Sequence, residues 1–83
     1  MLSGKDIRDF REMRGLSLRE VAECCELSAQ LIGQVETGVK NVTAENHKEI
    51  VKGINVATVK KAEKAIAKEE KIVLQLENNK SEE

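Results

Sequence analysis

The sequence has no proline, no tryptophan and no tyrosine, and Phe10 is its only aromatic residue. A core built from such a chain has to be aliphatic, and no proline is present to break a helix from within. Cysteine is confined to the adjacent Cys24 and Cys25. Neighbours on one chain are poorly placed for an unstrained disulfide, and two cysteines make no staple framework. No stretch approaches the apolar length of a membrane span. The opening MLSGKDIRDF lacks the basic segment and apolar run of a secretory signal. A reducing cytoplasm is the expected location. Charge of one sign is also missing: Lys plus Arg is 14, Asp plus Glu is 15, and the net is −1. That balance argues against indiscriminate binding to nucleic acid or membranes, while leaving room for a local basic face.

What is present is helical. The 83 residues suffice for one domain with a small core and leave room for an appendage. No period-2 strand pattern and no internal repeat is found. Ser3 is an N-cap candidate with Asp6 three residues on, followed by Ile7 and Phe10 on one face, and Gly15 is placed to end that helix. Ser17 and Glu20 form a capping-box pattern ahead of Val21, Ala22 and Cys25. Ser28 restarts the chain soon after, which predicts a very tight turn into a third helix that buries Ile32 and Val35 and stops at Gly38. Thr43 opens a fourth helix with His47, Ile50, Val51 and Ile54 inward. Residues 58–77 then form a fifth, about 30 Å long at 1.5 Å per residue.

The fifth segment is long for so small a domain. Val59, Ala62, Ile66, Val73 and Leu76 follow three- and four-residue steps, with Glu69 interrupting. A head of some 56 residues covers only the first part of such a helix, leaving an apolar cluster that marks an interface. Ile66, Ile72, Val73, Leu74 and Leu76 are the candidates for a homodimer contact. A strand over residues 71–76 is the alternative, because β-branched residues cluster there. Lys60, Lys61 and Lys64 read as solvated, with phosphate contact as the alternative. The expected organisation is a head over residues 1–56, a dimerisation helix over 57–78 and a disordered tail over 79–83.

The pair SLREVA and SAQLIGQVETG, two short helices across a turn, resembles the helix-turn-helix of the Cro and phage-repressor family. Arg11 and Glu36 occupy positions that commonly form a structural ion pair in that family. Gly15, Val21, Ala22, Ser28, Ile32, Gly38, Ile50 and Ile54 also fall on its pattern, so the likeness covers residues 4–56. It implies an all-α, five-helix Cro/repressor-like DNA-binding domain, here with an extended C-terminal helix. In this motif the second helix of the pair enters the major groove and the first crosses the backbone.

By that resemblance Ala29, Gln30, Leu31, Gly33 and Gln34 are the base-contact candidates. Glutamine pairs with adenine through both amide groups, and alanine touches the thymine methyl, so an A·T-leaning half-site is expected. Arg14, Ser17, Arg19, Ser28, Thr37, Lys40 and Asn41 are the phosphate-contact candidates. The implied function is a dimeric, sequence-specific repressor on a roughly palindromic operator, read by the helix over residues 28–36. Several positions depart from the family. Leu18 stands where a phosphate-binding glutamine is common, Glu26 where the turn usually has glycine, Val39 where a loop lysine is common, and Val42 where proline is usual. The groove face is therefore poor in hydrogen-bond donors. This favours, as the alternative, an antitoxin or antirepressor that grips a protein partner with its C-terminal helix. Cys24, Cys25 and His47 lack a recognised metal-ligand spacing. His47 reads as a half-buried histidine with a partner, and Cys25 as a small core residue. With no phosphate-binding loop and no paired carboxylates standing out, no enzyme activity, cofactor or metal is expected.

Overall fold

Ser3, Ser17, Ser28 and Thr43 each use a side-chain oxygen to accept a backbone N–H three residues on, and each opens a helix. The computed structural model describes the backbone of residues 1–81 and the side chains of residues 1–72 and Leu74. The helices are α1 (Gly4–Met13), α2 (Leu18–Ala22), α3 (Ala29–Glu36) and α4 (Ala44–Ser81). Ser17 and Glu20 complete the capping box in both directions. Gly15 and Gly38, after α1 and α3, take φ of 65° and 83°, a region other residues reach only with strain.

All described residues are helix, turn or loop, as the sequence predicts, but the expected fourth and fifth helices are one. α4 runs unbroken for 38 residues, about 57 Å. No proline or glycine stands within residues 54–58, and Thr58 turns its hydroxyl back onto Ile54 O at 2.6 Å instead of capping a new helix. Residues 71–76 continue this helix instead of forming a strand. Residues 79–81 of the expected tail are in its last turn, and Glu82 and Glu83 lie outside the described residues, as do the side chains of Val73 and Leu76.

The turn between α2 and α3 is longer than expected. α2 ends at Ala22, and Cys24 and Cys25 donate backbone N–H bonds to Val21 and Ala22, three residues back. This tightened spacing unwinds the helix end without the usual glycine. The Glu26 N–H then bonds Glu49 Oε2 at 3.0 Å, which ties the turn to α4.

The core is aliphatic. Ile7, Val21, Ile32, Val35, Ile50 and Ile54 are fully buried, with Leu16 and Ala57 nearly so. Phe10, Leu18, Leu27, Leu31, Val42 and both cysteines pack around them. Gly53 lets α4 cross α2 closely: a Cβ there would meet Val21 O at 2.9 Å and Cys25 Cβ at 3.2 Å. Core contact reaches Ala57, and Lys61 Nζ donates to Gly15 O at 2.6 Å.

Candidate nucleic-acid interface

The position of α3 is set at both ends. At its start Ser28 Oγ accepts the Leu31 N–H at 3.1 Å. On its inner side Ile32 and Val35 have no exposed surface. At its end Glu36 takes two hydrogen bonds of 2.9 Å from Arg11, one from Nε and one from Nη2. Arg11 Nη1 donates a third bond to Leu16 O at 2.7 Å, so one guanidinium joins α1, the turn after it and α3. Both side chains are buried, and the bonds from Arg11 to Glu36 hold the guanidinium pKa above its ordinary value despite that burial. The expected ion pair is thus a structural clamp.

The base-contact candidates do not share one environment. Gln30 is exposed, whereas Ala29, Leu31, Gly33 and Gln34 are half-buried. Leu31 packs against the core cluster. Gly33 faces α2: a Cβ there would sit 3.4 Å from Leu18 Cδ1. Leu18, a departure from the family, and Gly33, in the middle of α3, are therefore neighbours. Leu18 is partly buried against the core, at ordinary contact distance from where a Cβ on Gly33 would sit.

The phosphate-contact candidates divide likewise. Ser17 and Ser28 cap α2 and α3 through their oxygens, which leaves each hydroxyl proton available. Lys40 and Asn41 are exposed in the loop after α3. Arg19 is exposed and pairs only loosely with Glu23, at 3.4 Å. Thr37 instead turns its hydroxyl back onto Gly33 O, at 3.0 Å. Arg14 is engaged within the protein: its guanidinium lies 4.4 Å from the Phe10 ring centroid and donates to Asn55 Oδ1 and Thr58 Oγ1 at 3.3 and 3.2 Å.

A profile of the helix-turn-helix family matches residues 7–61, most of the chain. The chain belongs to the helix-turn-helix family, of the Cro/C1 type. Neither a curated protein nor a solved structure matched the chain. This helix-turn-helix family is one of DNA-binding transcription regulators, typically without enzyme activity. The matched span covers α2, the turn, α3 and the part of α4 that supports them. Its end at residue 61 coincides with Lys61, the last of the described residues of α4 bonded to the head.

Two supports of this helix-turn-helix, Glu49 and Gly53, are not among the candidates read from the sequence. Glu49 caps the turn from another helix, a contact with no local signature. Gly53 does have one: a glycine inside an apolar helical face, three residues from Ile50 and one from Ile54, points to a close helix crossing. His47 differs from its expectation of a partner, since its Nε2 is buried without one among the described residues. No described cluster of three or more His, Cys, Asp or Glu is arranged to hold a metal, and no described helix is long and apolar enough to cross a membrane.

Proposed function

We propose that the chain is a sequence-specific repressor that binds a roughly palindromic operator as a homodimer, with α3 in the major groove. The observation that carries this is the presentation of α3. Its Ile32 and Val35 side is sealed into the core while Gln30, near its N-terminus, is open to solvent. The N-terminal residues of a recognition helix are the ones that reach base edges. Gln30 and Gln34 supply bidentate amide groups suited to adenine, and Ala29 a methyl group suited to thymine. Ser17, Ser28, Arg19, Lys40 and Asn41 supply the phosphate contacts. Arg14 and Thr37 are less able to contribute, being bonded within the protein.

Dimerisation is the role proposed for the outer half of α4. Val59, Ile66, Ile72 and Leu74 are each about half exposed there, beyond anything the head covers. Two heads so joined would place their recognition helices about 34 Å apart on successive major grooves. A dimer occluding a promoter needs no further activity to repress it.

Selection of sites from random duplexes, followed by salt-titrated binding, tests the reading. The expected winners are A·T-leaning half-sites in inverted repeat, and affinity should fall steeply as salt rises. Gln30→Ala/Gln34→Ala should abolish the sequence preference. Unchanged preference in that variant would remove α3 as the reading element.

A further inference from the structure

Beyond Ala57 the lysines of α4 are not scattered around the helix. Lys60, Lys61, Lys64, Lys68 and Lys71 fall within a sector of about 100°, taking 3.6 residues per turn. All five are exposed. The sector continues the face of α4 that carries Gly53 and Ala57, and at Gly53 that face abuts Val21 and Cys25. Lys61 fixes where the stripe begins, with Nζ bonded to Gly15 O at 2.6 Å and lying 3.7 Å from Glu20 Oε2. Exposed Val59 and Ile66 lie on the opposite side, with Glu63 and Glu70 next to them. The projecting helix is basic along one side and apolar to acidic along the other.

This spacing works against the helix itself. Lys60 and Lys64, and Lys64 and Lys68, are four apart; Lys61 and Lys64, and Lys68 and Lys71, are three apart. Like charges at those spacings repel. Acidic residues for interleaving are plentiful, at 15 against 14 basic ones, yet Glu63 and Glu70 lie off the stripe. No ion pair among the described residues involves Lys60, Lys64, Lys68 or Lys71. A local rule broken without an internal gain marks a functional surface.

We propose that this stripe is a second DNA contact, running along the phosphate backbone outside the half-site that α3 reads. The proposal rests on the reading of the chain as a duplex-DNA binder. The stripe begins against α2, the element that crosses the backbone in this motif. It extends about 16 Å along α4. Duplex DNA carries one charge per roughly 1.7 Å, so that length faces on the order of ten phosphates. The contact is independent of sequence and supplies affinity that the donor-poor groove face lacks.

The test compares the full chain with Lys60→Gln/Lys64→Gln/Lys68→Gln/Lys71→Gln, leaving Lys61 because it bonds the head. Both are titrated with salt on the selected site within a long duplex and on the site trimmed of flanks, after matched helicity is confirmed by circular dichroism. On the long duplex the slope of log K against log salt should become shallower by about 0.9 for each phosphate the variant no longer neutralises. The selected sequence should be unchanged, and the two proteins should bind the trimmed site alike. Gln30→Ala/Gln34→Ala should do the reverse, losing preference and keeping the slope. Equal slopes on the long duplex overturn the proposal while leaving DNA binding intact. A difference seen only with polyglutamate or phosphatidylserine vesicles also overturns it and assigns the stripe to another partner. If the wild type binds no duplex at all, the underlying reading falls and this one with it.

Discussion

Arg11 and Glu36 show how much a single pair carries in a chain this short. Each is buried, each satisfies the other twice, and Arg11 also holds the Leu16 carbonyl. Removing one partner strands a buried charge. We expect Glu36→Leu or Arg11→Met alone to lose about 3–5 kcal/mol in urea unfolding. The double substitution should recover much of that loss, because no unpaired charge remains. His47 is the opposite case, since its buried Nε2 satisfies nothing. His47→Leu should raise stability by about 1 kcal/mol, the scale of a buried polar atom left without a partner. Gly33 separates stability from binding. An added Cβ would meet Leu18 Cδ1 at 3.4 Å, an ordinary contact. Gly33→Ala should therefore stabilise α3, by up to about 1 kcal/mol. Should the same variant bind its operator less well, the open space at Gly33 serves DNA approach.

At the scale of elements, the short α2 depends on its ends more than on its length. Its five residues cannot sustain a helix alone, so the capping box and packing by Val21 hold it. Glu20 accepts the Ser17 backbone N–H, and this bond, aided by the Ser17 hydroxyl and Lys61, holds its carboxyl pKa below the usual value. A carboxyl whose pKa is depressed on folding stabilises the fold above its unfolded pKa and ceases to do so as pH falls through the folded value. The α2 amides should accordingly lose exchange protection on acidification below the usual carboxylate range. Glu20→Gln should keep the N-terminal bond and flatten that pH response. A response equal to wild type would mean that another group governs the acid opening of α2.

The whole molecule measures 62 × 20 × 19 Å, a small head on a long rod. The head's buried residues end at Ala57 and its last bond from α4 is made by Lys61. Truncation after Glu70 should leave the head folded while removing the exposed apolar side chains of Ile72 and Leu74. Sedimentation should find the full chain dimeric, with a Tm that rises with protein concentration. The truncated chain should be monomeric, with a concentration-independent Tm and weaker operator binding. A full chain that sediments as a monomer at micromolar concentration would remove the dimer from the proposed function.

Much of this was set locally and was legible residue by residue. Ser3, Ser17, Ser28 and Thr43 mark the helix starts because a cap needs only its own side chain and the next turn. The three-residue step from Ile32 to Val35 identifies the buried side of α3, since helical period alone brings those side chains together. The Arg11–Glu36 pair was legible through resemblance, although 25 residues separate its members. Tertiary structure decided the rest. Two expected helices become one because the head packs residues 50–57 across the place where a break was expected. From the end of α1, Arg14 bonds Asn55 and Thr58 of α4, and Gly33 of α3 lies against Leu18 of α2. Both outcomes depend on how helices distant in sequence approach one another, and that approach is set by packing the whole core rather than by any local run of residues.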